Sequence, residues 1–214
     1  MTAIWPDSGA PSLVILAAGA SSRLGSPKAL APLPGGTPVD RILMAWPLNG
    51  STPTVVTGAH HKEISEHLAG RRTAVHLLHN TRWDLGRTGS LQAAIQQHAN
   101  KDLVVAPVDC PRIPKPVFEA LLHAWHTAGC PAMGWLAPYF ATHDGGIKRH
   151  GHPILIGRGL LLKALDLGPD DPLRGLRASA TPCLHTPVSH SEILEDLDTP
   201  RDLELLQKED CQSP

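Results

Sequence analysis

Short apolar runs alternate with longer amphipathic segments over the first 130 residues of the chain. The runs are of strand length and fall at residues 13–17, 54–57, 75–78 and 103–106. The segments that follow the last three have helical spacing, at residues 62–69, 90–99 and 114–127. Such alternation favours a mostly parallel sheet with helices on both faces. We therefore predict an α/β fold with a three-layer, doubly wound sheet.

The pattern is looser after Gly129. Strands are predicted at residues 132–138, 153–156 and 183–188, and helices at 160–167, 173–178 and 200–208. Residues 142–151, rich in Gly, His and cations, are predicted to form a loop, and Thr199 is expected to cap the last helix. We expect residues 12–210 to form a single domain behind a flexible lead-in of residues 1–11.

Charge and cysteine usage exclude several classes of protein. The chain has 19 basic and 20 acidic residues, so no broad basic surface for nucleic acid is expected. We find neither an apolar run of membrane-spanning length nor a signal-peptide pattern. The four cysteines lie far apart and form no Cys-x-x-Cys pair, which is typical of a reducing compartment. We therefore expect a cytoplasmic protein that binds neither nucleic acid nor membranes.

The segment after the first predicted strand carries the clearest chemistry. Residues 19–28 contain two glycines, three serines and two cations, Arg23 and Lys28. Glycines permit close backbone approach, and the cations can neutralise a phosphate chain. Five residues separate Gly19 from Gly25, which does not fit a Walker A loop, and no Gly-x-Gly opens the turn. The sequence therefore predicts a phosphate-binding loop of a different kind.

This segment resembles the LAAGxSSRxGxPK signature of nucleotidyltransferases with a glycosyltransferase-A-like fold, and within them the MobA-like molybdenum cofactor cytidylyltransferase family. The resemblance, through ordered motifs from Leu13 to Leu206, implies a nucleotide-binding half at about 12–130 and an acceptor-binding half at about 131–210. The nucleotide-binding residues that the signature implies are Leu16, Ala17, Ala18, Gly19, Ser21, Ser22, Arg23 and Lys28. Arg23 and Lys28 are also implied to be catalytic.

Carboxylates follow two further predicted elements. Asp109 ends the fourth strand in Val-Asp-Cys-Pro, where an oxygen ligand for a hard cation is well placed. The resemblance implies that Asp109 holds Mg²⁺ on the nucleotide phosphates and is catalytic. Asp196 and Asp198 lie in a segment resembling the family's Asp-x-Asp-Thr-Pro-x-Asp-Leu. We expect them to point to opposite sides of the chain, so that one reaches the metal, with Asp198 preferred and Asp196 second. The alternative for Asp198 is that it caps the last helix together with Thr199.

Two more blocks resemble the family. Residues 80–94 match its Asn-x-x-Trp-x-x-Gly-x-x-x-Ser pattern, which implies that Gly86, Gly89 and Ser90 bind the nucleotide. Ser90 is also expected to cap the helix that it opens, and Trp83 is expected in the core. Gly151, His152 and Pro153 match the Gly-x-Pro turn near the acceptor. The cations at 148–150 either meet an acceptor phosphate or form a solvated loop.

The resemblance implies transfer of a nucleoside monophosphate to a phosphorylated acceptor, with loss of pyrophosphate. Ala18 stands where guanylyl relatives carry Gly, which favours CTP, and the late Asp-x-Asp motif favours molybdopterin as acceptor. A molybdoenzyme is then an expected partner. Two alternatives stay open: transfer to a sugar or alcohol phosphate, and a non-catalytic accessory protein that holds a cofactor for molybdoenzyme maturation.

Overall fold

The computed structural model describes residue 5 and residues 9–48, 51–71, 74–141 and 148–212. The predicted lead-in of residues 1–11 therefore lies largely outside the described residues, as do residues 142–147 of the predicted loop. Trp5 is described, and its ring packs edge-on against His126 with centroids 5.4 Å apart.

The described residues form eight strands and seven helices. The strands are β1 (Ser12–Ala17), β2 (Thr54–Thr57), β3 (His76–His79), β4 (Leu103–Pro107), β5 (Trp135–Ala141), β6 (Lys148–His150), β7 (Ile154–Ile156) and β8 (Cys183–Pro187). The helices are α1 (Pro38–Ala45), α2 (His61–Ala69), α3 (Arg87–Gln97), α4 (Lys115–Thr127), α5 (Arg158–Ala164), α6 (Arg174–Arg177) and α7 (Pro200–Gln212).

The strands form one sheet in the order β3-β2-β1-β4-β7-β5-β6, and β8 pairs with the other edge of β5. The four strands from β3 to β4 are mutually parallel, whereas β7 and β6 run antiparallel to their neighbours. Successive side chains of β1 face opposite sides: Leu13 and Ile15 pack with α1, α2 and α4, and Val14 and Leu16 with α3 and α5. The predicted three-layer, mostly parallel α/β fold is confirmed.

Several element boundaries differ from the sequence prediction. Helix α1 was not predicted; Thr37 and Asp40 close a capping box at its start, with Pro38 in the first turn. Strand β6 lies inside the predicted loop, because Lys148–His150 pairs with the end of β5. Helix α3 begins at Arg87, three residues before Ser90. Within the described residues, no helix is both long enough and apolar enough to cross a membrane.

A small third apolar cluster lies away from the two faces of the sheet and joins two loop segments to helix α7. Its buried members are Leu24, Ala31, Leu33, Leu197 and Leu206. Leu24 belongs to the segment after β1, Leu197 separates the two late aspartates, and Leu206 lies on α7. This cluster therefore fixes the late carboxylates against the predicted phosphate loop.

Candidate nucleotide and metal site

The strand register brings the predicted loop and Asp109 together. Leu16 of β1 is paired with Pro107 of β4, and the N–H of Val108 donates to the carbonyl of Leu16 at 3.1 Å. The two parallel strands therefore end side by side, at the edge where ligands bind in sheets of this kind. Residues 18–28 and Asp109 leave the sheet at that edge.

The loop after β1 is shaped by its own residues. Ser21 (φ 54°) and Gly25 (φ 77°) both have left-handed backbone conformations. The backbone N–H of Lys28 donates to Ser21 Oγ at 3.0 Å, and that of Gly25 donates to the Ser21 carbonyl at 3.1 Å. No atom lies within 4 Å of the position that a Cβ on Gly19 would take. Gly19 therefore keeps space open beside the cleft and is not needed for packing.

Two cations and two carboxylates meet at the mouth of this loop. Lys28 Nζ lies 4.0 Å from Asp109 Oδ2 and is hydrogen-bonded to Asp198 Oδ1. Arg23 Nη2 lies 2.9 Å from Asp198 Oδ2. The hydrogen bond from Lys28 lowers the pKa of Asp198 below its ordinary value, against the opposing effect of burial. Lys28 and Asp109 are thus close enough to contact one phosphate chain.

Asp196 and Asp198 face the same side of the chain, so the expectation of opposite sides is wrong. Residues two apart on an extended segment share a face, and Leu197 between them takes the other face, where it is fully buried. The Leu197 N–H donates to the Asp109 carbonyl at 2.7 Å, which holds the segment against the end of β4. Both aspartates line one polar cavity together with Arg23 and Asp109.

A group of three side chains offers ligands for a metal ion. One ligand atom each from Asp109, Cys110 and Asp196 lies within 4.8 Å of the others. The two carboxylates fit a hard divalent cation such as Mg²⁺ or Mn²⁺. Burial raises the pKa of the Cys110 thiol well above its ordinary value, and Asp109 adds to this effect. Cys110 is therefore a protonated thiol that donates to Asp196 Oδ1 at 3.3 Å. This geometry favours Asp196 over Asp198 as the partner of Asp109.

The cleft beside the loop is a cavity of about 170 Å³. Its lining contains most of the predicted nucleotide-binding residues together with Asp109, namely Leu16, Ala17, Ala18, Gly19, Ser21, Lys28, Ser90 and Asp109. Arg23 lines the adjoining polar cavity instead. Ser22, Gly86 and Gly89 lie outside the lining of the cleft.

Ser90, Gly86 and Gly89 make contacts with neighbouring segments of the chain. Gly86, with φ 133°, is the N-cap of α3, so the expectation that Ser90 caps the helix is wrong. Ser90 Oγ instead accepts a hydrogen bond from Asn80 Nδ2 at 3.0 Å. A Cβ on Gly86 would lie 2.3 Å from the Pro169 carbonyl, and the Gly89 N–H donates to that oxygen at 3.1 Å. The two glycines therefore let residue 169 approach the start of α3.

Three side chains in the cleft were not predicted to be part of it. Trp83 was expected in the core, but it is half-buried and lines the cleft. Arg87 Nη2 lies 3.9 Å from Asp109 Oδ2, and His60 Nε2 lies 3.0 Å from the Ala20 carbonyl oxygen. His60 follows β2 and Arg87 comes after β3, so both lie at the carboxyl edge of the sheet. Their place in the chain after these strands is the signal that could have identified them.

The predicted acceptor residues lie across the site from the loop. The Gly151 N–H donates to the Pro138 carbonyl at 3.1 Å, and the His152 N–H donates to the Ile193 carbonyl at 3.1 Å. A Cβ on Gly151 would lie 2.1 Å from the Ile193 oxygen, so only glycine fits there. Burial lowers the pKa of His152, and its Nδ1 is buried without a hydrogen-bond partner among the described residues.

His152 stands between two cavities. One is the polar cavity of Asp109 and the late aspartates, which Arg149 and His150 also line. The other has mainly apolar walls that include Trp135 and Ile154. Lys148, by contrast, lies over the ring of Tyr139 at 4.9 Å, and it lines neither cavity. Arg149 and His150 therefore face the site, and Lys148 does not.

Loop, carboxylates and sheet together define an α/β protein that gathers cations and carboxylates at one edge of its sheet. A family model described as the MobA-like NTP transferase domain matches residues 13–183, and the chain belongs to this family. It is accordingly a nucleotidyltransferase of the MobA-like family.

Individual proteins are similar to this chain in sequence or in fold. The chain is 26% identical over 191 residues to the molybdenum cofactor cytidylyltransferase of Escherichia coli (strain K12), covering 88% of this chain and 91% of that protein. A nucleotidyl transferase from Methanothermobacter thermautotroptrophicus has a similar structure, with a TM-score of 0.74 at 20% identity over 96% of this chain and 99% of that one. The Rv0371C complex with manganese from Mycobacterium tuberculosis H37Rv gives 0.67 at 18% identity, covering 94% and 99%.

Proposed function

We propose that this protein transfers CMP from CTP to the phosphate of molybdopterin and releases pyrophosphate. The observation that carries the proposal is the meeting of Lys28 and Arg23 with Asp109, Asp196 and Asp198 at one edge of the sheet. Cations there suit the triphosphate, and carboxylates there suit the divalent ion that accompanies it. The similarity to a molybdenum cofactor cytidylyltransferase supports the choice of nucleotide and acceptor.

In this mechanism the triphosphate lies along residues 18–28. An oxygen of the acceptor phosphate attacks the α-phosphorus in line, a new P–O bond forms, and the bond to the β-phosphate oxygen breaks. Arg23 and Lys28 stabilise the charge that grows on the departing pyrophosphate. A phosphate monoester is already largely dianionic at neutral pH, since its second pKa is about 6. The reaction therefore requires no general base from the protein.

Asp109 and Asp196 would hold the divalent cation, and Cys110 would orient Asp196 through its thiol proton. Mg²⁺ bound there would neutralise phosphate charge and orient the reacting groups. Asp109 of this pair lies 4.0 Å from Lys28 Nζ, so a cation held there and the lysine would act on the same phosphates. The Mn²⁺ complex of a structural relative supports a divalent ion in this family.

The cleft favours a small base. Ala18 is 5% exposed and lines the cleft, with Trp83 and Ile64 on the surrounding walls. A Cβ on Gly58 would lie 2.4 Å from the Ala18 carbonyl oxygen and 2.5 Å from the Trp83 Cβ, so this part of the wall is closely packed. A methyl group at residue 18 then leaves less room for a purine than glycine would. This supports CTP over GTP.

The acceptor is proposed to enter from the opposite side. Gly151, His152 and Pro153 form the turn there, and the apolar cavity beside His152 offers the Trp135 ring to a planar heterocycle such as a pterin. Arg149 and His150 line the polar cavity, where the acceptor phosphate would meet the nucleotide. The apolar cavity thus suits the ring system and the polar cavity suits its phosphate.

A turnover panel tests the proposal. Purified protein is given molybdopterin, Mg²⁺ and each of CTP, GTP, ATP and UTP, and pyrophosphate release is measured. We expect CTP to give the highest kcat/KM, with no release when molybdopterin or Mg²⁺ is left out. If a sugar or alcohol phosphate gives faster pyrophosphate release than molybdopterin, that compound replaces molybdopterin as the proposed acceptor. Absence of release with every acceptor would favour the non-catalytic accessory role.

A further inference from the structure

Asp198 occupies the place at which a phosphate is expected. Its two carboxylate oxygens are divided between the two cations of the loop: Oδ1 pairs with Lys28, and Oδ2 lies 2.9 Å from Arg23. The side chain of Lys28 is 12% exposed and that of Asp198 is 28% exposed, so this pair is partly shielded from solvent. Lys28 therefore has a protein counterion when no nucleotide is bound.

The backbone that carries Asp198 is held firmly from both sides. The N–H groups of Asp198 and Thr199 donate to Asp202 Oδ2 at 3.0 and 2.7 Å, and Asp202 N–H returns to Thr199 Oγ1 at 3.3 Å. On the other side Leu197 is buried in the third cluster. Because these contacts hold the backbone and do not involve the Asp198 carboxylate, its side chain can leave the cations while its backbone stays in place.

We propose that Asp198 is a positioning residue that substitutes for phosphate: it holds Lys28 and Arg23 until nucleotide binds and is displaced by the triphosphate. The inference rests on the proposed function, because it assumes that Lys28 and Arg23 bind the phosphates. A carboxylate beside an incoming polyanion repels it, so Asp198 opposes nucleotide binding without metal. A divalent ion arriving with the nucleotide offsets this repulsion. Asp198 thereby makes tight nucleotide binding depend on the metal.

Asp196 provides an internal comparison. It lies on the same face and carries the same charge, but it accepts a hydrogen bond from the Cys110 thiol. Among the described residues, Arg23 pairs with Asp198, and Lys28 pairs with Asp198 and Asp109. Removing the charge of Asp196 therefore frees neither cation, whereas removing that of Asp198 frees Arg23 and leaves Lys28 with Asp109 alone.

The test uses inorganic tripolyphosphate, which has neither base nor acceptor, with EDTA present and binding measured by calorimetry. We expect Asp198→Asn to bind tripolyphosphate about tenfold more tightly than the wild type, a change of about 1.4 kcal/mol. Asp196→Asn should change the affinity by less than about threefold, since it only reduces the long-range charge. Glu66→Gln, at an exposed residue of α2, controls for net charge and should have no effect.

A second variant tests whether the gain in tripolyphosphate affinity depends on the two cations. Arg23 is 67% exposed, so Arg23→Gln is expected to fold normally. In that background the gain from Asp198→Asn should fall to about threefold, because one of the two released cations is absent. A full gain in the Arg23→Gln background would overturn the inference. So would unchanged or weaker metal-free binding by Asp198→Asn.

The wild-type protein offers a test that does not depend on the variants. A crystal structure with tripolyphosphate and no divalent ion should show Lys28 on a phosphate oxygen and the Asp198 carboxylate turned away from it. Phosphate bound while the Lys28–Asp198 pair stays intact would contradict the inference. Failure of CTP turnover, in contrast, would remove the proposed function and leave these polyphosphate results unaffected.

Discussion

The loop after β1 and the turn at 151–153 face each other across the site, but their shapes have different origins. The loop is held by contacts among its own residues, such as the Lys28 N–H on Ser21 Oγ. The turn is held by distant segments, through the Pro138 and Ile193 carbonyls. A short motif can therefore encode the first region, while the second depends on the assembled fold. This contrast predicts that substitutions in the loop affect nucleotide chemistry first and those in the turn affect stability first.

The largest effect is expected for the charged residues at the loop. Lys28→Ala and Asp109→Ala should each reduce kcat/KM for pyrophosphate release more than about 100-fold, because each removes a charge that acts on the transferring phosphates. Lys62→Ala is the matched control, since the Lys62 side chain is 85% exposed on α2 and pairs with Glu66 of the same helix. Near-normal turnover by either site variant would refute the assignment.

Two glycine substitutions compare the regions directly. Gly151→Ala places a methyl group 2.1 Å from the Ile193 oxygen, so we expect the free energy of unfolding to fall by about 2 kcal/mol or more. Gly19→Ala meets no atom within 4 Å and should leave stability unchanged, but raise the KM for the nucleotide about tenfold. Chemical denaturation and steady-state kinetics measure the two effects. Equal destabilisation by both would remove the contrast.

A smaller effect is expected for the base preference. Ala18→Gly removes the methyl group that lines the cleft, so the ratio of kcat/KM for GTP to that for CTP should rise about tenfold. Ala20→Gly, at an exposed residue of the same loop outside the lining of the cleft, is the control for added backbone freedom. An unchanged ratio in Ala18→Gly would mean that other residues select the base.

The smallest effect on activity is expected from thiol modification. Cys110 is fully buried and burial raises its pKa, whereas Cys183 is exposed in the acceptor half. Iodoacetamide at pH 7.5 should therefore label Cys183 well before Cys110, with turnover changed by less than about twofold. Mass spectrometry of the two peptides gives the order. Faster labelling of Cys110 would contradict the closed packing around Asp109.

The same difference in origin explains what the sequence could predict. The strand at residues 13–17 and the loop that follows it were predicted correctly because they form one continuous segment, whereas phosphate binding by that loop stays a prediction. Strand β6 was missed because its pairing with β5 is a tertiary contact. Trp83 was misplaced because an aromatic residue in a cleft wall and one in the core give the same local pattern. The expectation that only one of the two late aspartates faces the site came from a mistaken strand geometry. Which of them binds a metal stays a prediction, and the contacts of Lys28 with Asp198 and of Cys110 with Asp196 favour Asp196.

The central claim is that a triphosphate lies against residues 18–28 and shares Lys28 and Asp109. A crystal structure with CTP and Mn²⁺, with the metal located by its anomalous scattering, tests it most directly. We expect the manganese peak between Asp109 and Asp196, and Lys28 Nζ within hydrogen-bond distance of a phosphate oxygen. A triphosphate bound elsewhere, or manganese remote from Asp109, would contradict the account.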